Sequence, residues 1–283
     1  VLRKGKDVAV IPGNHGPTLE YVDFVKQVVG FNDDQIIFTS GNHASLDEDI
    51  MAEPEVAERL EQIVRDDPDS QFVIIPYVAT EAFYKWVAPF QALGVQTFGE
   101  STEWLAQFGD KGILHRHMKD LSQPSVIEMI DPNIPIAPGY ICSTPEQLLE
   151  AYHLLGCKAV AIKPLCGCAG EGIIFVDNEE AIRNYEFPMG DVALEEKLEL
   201  DLAEDGLVIA PAMHYMQREL IGGGLVDQIL EGASYMGWRA SVVSEEFREQ
   251  VDRITRTIID YTSPQGPGGY DYLSVKGKPV LND

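Results

Sequence analysis

The chain has 283 residues, of which 45% are hydrophobic and 24% are charged, and this composition excludes a disordered or collagen-like chain. Asp and Glu together number 46 and Lys and Arg 21, so the formal net charge is -25. Because so acidic a surface repels phosphate backbones and anionic lipid, nucleic-acid and membrane partners are disfavoured, and any polyanion must bind in a pocket with its own cations or metal.

The first hundred residues alternate short apolar runs with amphipathic stretches. This pattern predicts strands and helices in turn, with strands at 7–11, 35–39, 72–76 and 95–98 and helices at 18–29, 54–64 and 81–93. Strands that alternate with helices indicate parallel βαβ units, so we expect a Rossmann-like α/β domain over residues 1–105. No G-x-G-x-x-G follows the first strand, which argues against a dinucleotide site.

The second domain, expected over residues 106–283, has a different pattern. A helix is predicted to start at Thr144, whose capping box Gln147 would close. Further strands are expected at 159–163, 172–176 and 192–196, around a short helix at 179–185. Two strands joined by a short Gly-rich loop must be antiparallel, so this domain is predicted to be α+β.

The most informative segment is the apolar strand that ends at Lys163 and the loop of small residues after it. Such a lysine is costly to bury unless an anion meets it. The loop contains Gly167, Gly170 and Gly172, and it can bring backbone N–H groups close to phosphate oxygens. This segment alone fits equally well a tight hairpin whose lysine reaches solvent.

Two later segments carry acidic residues. The segment 192–201 runs from apolar into acidic residues and could face an adenine edge and ribose hydroxyls, although acidic strand ends are usually solvated. Asp271 and Asp283 flank a predicted hairpin that turns at Gly277, so both carboxylates would lie at one end. Oxygen ligands gathered in this way suit Mg²⁺ bound through substrate phosphates, and an exposed acidic hairpin is the alternative.

The order of these three segments resembles that of the ATP-grasp ligases, over roughly residues 110–283. The preceding α/β domain is similar to the pre-ATP-grasp domain of many such ligases. The phrases Pro-x-Ala-Pro-Gly-Tyr, Lys-Pro-x-x-Gly-x-Ala-Gly-Glu-Gly-Ile and Val-Asp-Gln-Ile-Leu resemble more narrowly the peptide-ligase group that includes the pheganomycin-forming enzyme.

The resemblance implies a set of nucleotide-binding residues, namely Lys111, Lys163, Gly167, Gly170, Gly172, Glu195, Glu196, Leu198 and Asp201. In this set the two lysines bind phosphate, the glycines close over the triphosphate, positions 195, 196 and 198 form the adenine hinge, and Asp201 faces the ribose. Lys119 is the rival for the first lysine. Asp271 and Asp283 would hold metal, and Arg239, with Lys163, would act at the phosphate or acyl phosphate.

The resemblance also implies an activity, that of a carboxylate–amine ligase, and the sparse cysteines favour a cytoplasmic location. ATP and two Mg²⁺ ions, or Mn²⁺, would activate a small-molecule carboxylate as an acyl phosphate that an amine attacks, in a chain that forms a homodimer. Alternatives are an ATP-grasp enzyme with a non-amine acceptor, an inactive nucleotide-binding homologue, and an unrelated binding module. The family has an Asn two residues after its second acid, so a chain that stops at Asp283 suggests a longer native protein.

The histidines and cysteines give weaker indications. His15 and His43 follow predicted strands and could line a substrate-carboxylate pocket, although such loop residues more often satisfy turn backbone. His115 and His117 are expected on a helix, on different sides, which argues against a metal pair. Four cysteines are too few for a disulfide framework, and they favour a reducing compartment. No apolar run reaches the roughly 18–20 residues that a membrane span needs, and no signal-peptide pattern opens the chain.

Overall fold

The computed structural model of the chain describes residues 7–13, 23, 26–27, 35–43, 45–76, 79–165 and 170–282. The chain divides into two compact units, Val1–Thr102 and Glu103–Asp283. Within the described ranges, every helix is too short or too polar to cross a bilayer.

The first unit is built from parallel strand pairs and helices. Its described elements are β1 (Ala9–Pro12), β2 (Ile36–Thr39), α1 (Leu46–Ala52), α2 (Pro54–Asp66), β3 (Val73–Ile74), α3 (Glu81–Ala92) and β4 (Gln96–Thr97). β1 pairs with β2 and β3 with β4, both in parallel, as predicted from the alternation of strands and helices. The described residues form two separate pairs rather than one continuous sheet. The helix predicted at 18–29 lies almost entirely outside the described residues.

Helices of the first unit pack on the strands through the predicted apolar stripes. Val56, Leu60 and Ile63 lie on one side of α2 and contact the cluster that contains Ile37 of β2. Pro54 occupies the first turn of α2, where its missing N–H costs no hydrogen bond. The short helix α1 was not predicted, because its sequence is largely acidic and its apolar positions are few.

The second unit contains two five-stranded sheets among its described residues. In chain order its elements are α4 (Thr102–Phe108), a 3₁₀ turn (Lys111–Ile113), β5 (Arg116–His117), α5 (Val126–Ile130), β6 (Gly139–Cys142), α6 (Pro145–Leu155), β7 (Val160–Pro164), β8 (Ile174–Val176), α7 (Glu179–Arg183), β9 (Val192–Glu196), β10 (Pro211–Met216), β11 (Glu219–Glu231), β12 (Ser234–Ala240), α8 (Glu245–Thr262), β13 (Pro267–Val275) and β14 (Lys278–Leu281). The first sheet has the order β5-β6-β9-β7-β8 and the second β12-β11-β10-β13-β14. The predicted antiparallel pairing of β7 with β8 is confirmed.

Side-chain alternation separates the two faces of the first sheet. Val160 and Ile162 of β7 pack with Val192 and Leu194 of β9 in a core that includes Leu148 of α6. Because successive residues of a strand point to opposite faces, the other face carries the intervening side chains. These are small or charged, namely Ala161, Lys163, Ala193 and Glu195. One face of this sheet is therefore its core, and the other is available for a site.

The second sheet has the same division. Met213, Leu225 and Tyr272 pack against α8, and the Tyr272 hydroxyl lies 2.7 Å from Oγ1 of Thr255 on that helix. The acidic start of α8 fits the positive end of the helix dipole. The opposite face carries Asp271, because this residue pairs with Ala212 and so alternates with the core tyrosines of β13.

Candidate active site

Lys163 is the centre of a buried polar cluster that joins the two sheets of the second unit. Its Nζ pairs with the Glu195 carboxylate on the neighbouring strand β9 and donates to Oδ1 of Asn282, just after β14, over 2.9 Å. The Lys163 side chain is only 8% exposed and that of Glu195 only 5%. The alternative that the lysine reaches solvent is therefore wrong. An ammonium group has three N–H donors, so one has no partner among the described residues.

Glu195 holds this lysine and is itself held by a histidine. Nε2 of His115 lies 3.0 Å from Oε1 of Glu195, and both residues are buried. Burial raises the pKa of the Glu195 carboxyl, but the hydrogen bond from His115 and the charge of Lys163 outweigh it, so this pKa lies below its ordinary value. The carboxylate is thus ionised, and its charge keeps a buried ammonium next to it.

His115 is a site residue that the sequence analysis missed. It precedes β5 rather than lying on the helix that we expected, and its ring packs against Gly139. A Cβ at Gly139 would lie 3.0 Å from the imidazole and 2.7 Å from the Leu194 carbonyl oxygen. The glycine is therefore needed for His115 to reach Glu195. His115 and Glu195 are 80 residues apart, so no local pattern indicated the contact.

Of the two candidates for the first phosphate lysine, the structure brings Lys111 nearer to Lys163. The Lys111 amide donates to the carbonyl oxygen of Leu165, two residues after Lys163, over 3.5 Å. Lys119 is exposed and follows β5. This geometry favours Lys111, whose phosphate contact stays a prediction.

The glycines of the loop after β7 are required by close approaches. Gly170 has a φ of +81°, and a Cβ there would lie 1.7 Å from the carbonyl oxygen of Ala233, in the turn between β11 and β12. Gly172 has a φ of +74° and closely approaches the Pro164 ring. Both positions favour glycine because L side chains rarely adopt such angles. Gly167 lies outside the described residues.

The predicted metal-binding hairpin forms, but Asp271 has an unpredicted neighbour. The Asn282 amide donates to the Asp271 carbonyl oxygen over 2.8 Å, and the register pairs Tyr272 with Leu281. Counting one residue outward places Asn282 opposite Asp271. Because directly opposed residues share a face, the side-chain amide of Asn282 lies on the same face as the Asp271 carboxylate. Asp271 lies in the middle of β13, not at its start as predicted. Asp283 lies outside the described residues.

The structure gives Asp201 a structural use. Its carboxylate accepts hydrogen bonds from Gly277 N at 2.7 Å, Ser274 Oγ at 2.7 Å and Lys276 N at 3.1 Å, and these contacts lower its pKa. Asp201 thus fixes the β13–β14 turn, and its ribose contact stays a prediction. The Glu196 amide donates to the Pro138 carbonyl oxygen, which attaches the predicted adenine hinge to the segment before β6.

Arg239 lies on the wrong face for the role that we predicted. It pairs with Asp227, which pairs with Pro211, and this row alternates with the row that carries Asp271. The guanidinium forms an ion pair with Asp205 and lies 3.7 Å from the fully buried Asp227 carboxylate. Arg239 therefore offsets the charge of these acids on the side of the sheet away from Asp271. The sequence did not reveal this, because the faces depend on long-range register.

The histidine loop of the first unit forms a separate cluster. Nδ1 of His43 lies 2.7 Å from the buried Asp49 carboxylate, which also accepts from the His43 amide and from Thr39 Oγ1. The His43 ring therefore bonds to a carboxylate and not to turn backbone as predicted, and the loop N–H is satisfied by the Asp49 side chain on α1. His15 lies outside the described residues, and the described residues include no group of three or more His, Cys, Asp or Glu suited to a metal ion.

Comparisons with solved structures identify the fold. The chain resembles biotin carboxylase from Campylobacter jejuni, in complex with β,γ-ATP, with a TM-score of 0.62 and 13% identity over 97% of this chain and 58% of that one. It also resembles an ADP complex of N5-carboxyaminoimidazole ribonucleotide synthetase, with a TM-score of 0.59 and 14% identity over 100% of this chain and 70% of that one. A third likeness is to D-alanine–D-alanine ligase from Bacillus anthracis, with a TM-score of 0.52 and 10% identity over 100% and 86% of the two chains.

These likenesses show that the chain has the ATP-grasp fold, as the sequence analysis predicted. The chain spans 58% of the biotin carboxylase and 70% of the synthetase. No protein-family model and no curated protein sequence matches it. The narrower likeness to the pheganomycin group stays a prediction.

Proposed function

We propose that this protein is an ATP-dependent ligase that joins a carboxylate to an amine, with an amino acid or peptide among its substrates. The observation that carries the proposal is the buried cluster of Lys163, Glu195 and Asn282. It places an oriented ammonium between the two sheets of an ATP-grasp fold. Asp271 lies beside Asn282 on the face of the second sheet that this ammonium meets.

The residues around Lys163 suit a triphosphate. The remaining N–H of its ammonium would donate to a phosphate oxygen, and Lys111 would add a second positive charge. Gly170 and Gly172 hold the end of the loop that follows β7 in conformations that favour glycine. Backbone N–H groups of such a loop can approach phosphate oxygens without obstruction by side chains. The hinge at Glu196 and Leu198 would face the adenine.

The oxygen donors also suit Mg²⁺. The Asp271 carboxylate is a hard ligand on the face of the second sheet opposite α8, which we call the active face, and Asp283 is the predicted second ligand. Mg²⁺ prefers one or two carboxylates plus substrate phosphates. When bound, two Mg²⁺ or Mn²⁺ ions would offset the charge that develops on the phosphates. Local cations are necessary because the chain carries a formal net charge of -25.

The proposed reaction has two steps. A carboxylate oxygen attacks the γ-phosphorus, an O–P bond forms and ADP leaves, which yields an acyl phosphate. The amine nitrogen then attacks the acyl carbon, phosphate leaves and the amine loses a proton. In phosphoryl transfer the protein acts mainly by positioning and by charge stabilisation. Here Lys163 would hold the transferred group, and the loop would keep water from the acyl phosphate.

A non-amine acceptor is the second candidate, because the structural neighbours include a biotin carboxylase domain dimer described with MgADP and bicarbonate. The same description supports the proposal that this chain forms a homodimer. The two candidates differ in product, since only the ligase makes an amide bond.

The proposal is tested by ADP release from the chain with ATP, Mg²⁺ and a library of amino acids, with mass detection of the coupled product. Hydroxylamine in a parallel reaction would trap the acyl phosphate as a hydroxamate. We expect amine-dependent ADP release and a hydroxamate, both lost in Lys163→Gln. ADP release without an amide product would favour the second candidate. A chain that shows neither an ATP-induced thermal shift nor ADP release would contradict both.

A further inference from the structure

An aromatic cluster lies on the active face of the second sheet. Trp238 of β12 pairs with Gln228 of β11. Ala240 lies two residues further along β12 and so points to the same face as Trp238. The strand registers align Ala240 with Ala212 of β10 and Asp271 of β13, so Trp238 and Asp271 share a face. The face is the one opposite α8. Trp238 is thus on the same side of the sheet as the proposed metal-binding acid, although β12 and β13 are separated by two strands.

The members of this cluster are Trp238, His214 and Tyr235. The Trp238 ring centroid lies 5.3 Å from that of His214 and 5.1 Å from that of Tyr235, with interplanar angles of 74° and 60°. His214 belongs to β10, two strands from β12, so the sheet must curve toward this face for the rings to meet. Edge-to-face contacts hold the indole in one orientation.

The cluster is formed by specific features of the strands. A Cβ at Gly269 of β13 would lie 3.1 Å from the His214 ring, so this glycine leaves the space that the imidazole occupies. The pairing of β11 with β12 shifts between Ile229↔Gly237 and Leu230↔Tyr235, so β12 contains one extra residue there, and this residue brings Tyr235 to the face of Trp238.

The indole is nevertheless 46% exposed. Large exposed aromatic rings on a curved face are typical of binding surfaces. Rings that neighbouring side chains already hold in one orientation lose little side-chain entropy when a ligand binds. This face is continuous with the one that carries Asp271. At the usual strand spacing β12 lies about 14 Å from β13, which an extended peptide of about four residues spans.

We propose that the aromatic cluster binds a planar or large apolar side chain of the peptide or amino-acid substrate. The inference rests on the proposed function, and it adds the class of substrate. Trp238 would stack on the side chain, and the half-buried Gln228 beside it would bond to a peptide group. A substrate of this class would extend from Trp238 to Asp271, with its backbone along the curved face that carries both residues.

Binding is tested without turnover by tryptophan fluorescence. The chain has three tryptophans, so the double variant Trp86→Phe/Trp104→Phe leaves Trp238 as the single reporter. We expect phenylalaninamide and leucinamide to change its emission in a saturable way and glycinamide to leave it unchanged. An emission that responds to none of the three at millimolar concentration would overturn the proposal, whether or not the chain hydrolyses ATP.

A kinetic test uses Trp238→Ala with Tyr261→Ala as matched control, because Tyr261 on α8 is 49% exposed and lies on the opposite side of the sheet. Loss of ring contacts should raise KM for aromatic substrates about three- to tenfold, while KM for ATP and the ATP-induced thermal shift stay unchanged. Equal KM values in the two variants would overturn the proposal and leave the ligase activity standing. A change in sedimentation with Trp238→Ala alone would assign the face to a second copy instead.

Discussion

Replacement of Glu195 by glutamine should strongly destabilise the second unit. The change keeps the side-chain shape but leaves the Lys163 ammonium without its negative partner. Both side chains are almost fully buried, so water cannot solvate the Lys163 ammonium once its negative partner is removed. Breaking one side of a buried ion pair costs about 3–5 kcal/mol because the other charge stays uncompensated.

This magnitude is large enough to measure in urea. At about 2–4 °C per kcal/mol for a unit of this size, Tm should fall by about 6–20 °C. Glu180→Gln is the control, since Glu180 is exposed on α7, and it should change the free energy of unfolding by less than about 0.5 kcal/mol. Saturating ATP with Mg²⁺ should restore part of the loss, because a phosphate then pairs with the ammonium.

The pH dependence supplies an independent check. The pKa of Glu195 is lowered on folding, so its contribution is present above the ordinary value of 4.5 and is lost as the pH falls through the lowered pKa. The stability difference between wild type and Glu195→Gln should therefore narrow below about pH 4. Equal stability of the two proteins at pH 7, or a stability difference that does not narrow as the pH falls below 4.5, would refute the buried-pair reasoning.

Three further outcomes are expected. Gly170→Ala should raise KM for ATP at least tenfold, measured by ADP release, because its Cβ would overlap a carbonyl oxygen of the neighbouring turn. Arg239→Gln should lower Tm yet leave KM for ATP within about twofold, whereas Lys163→Gln should reduce the ATP-induced thermal shift; a large KM effect at Arg239 would contradict the face assignment. Arg116 lowers the pKa of Glu128 to about 2, so Arg116→Gln should return that pKa toward 4.5 in an NMR titration, and an unchanged value would show that Arg116 is not the cause.

The strands of the first sheet could be predicted because their patterns are local. The segments that end at Lys163 and Glu195 both read large, small, large, charged. In paired strands this pattern places the charged side chains on the face opposite the core. Their ion pair could have been inferred from the sequence once the strands were taken as neighbours. His115 could not, because its place depends on the path of the chain before β6.

Asn282 was missed although the hairpin arithmetic contains it. A two-residue turn at Lys276 and Gly277 pairs Val275 with Lys278, and counting outward pairs Asp271 with Asn282. The sequence analysis took the two acids as partners instead, because carboxylates suggested metal chemistry. Arg239 shows the opposite situation, since no local count could reveal which face it occupies in a sheet of five strands.

The charge of the cluster explains how an acidic protein could prepare the triphosphate site that we propose. A buried ammonium without a counter-ion is costly, whereas here Glu195 supplies the negative partner and His115 holds Glu195 in place. Lys163 is thus oriented before any nucleotide arrives, and little reorganisation is needed when a phosphate oxygen takes its third N–H. Because Glu195 already neutralises much of this charge, Lys163 alone cannot supply the affinity. In the proposed function Lys111 and the metal ions would contribute the rest, so ATP affinity should depend more steeply on Mg²⁺ than on Lys163.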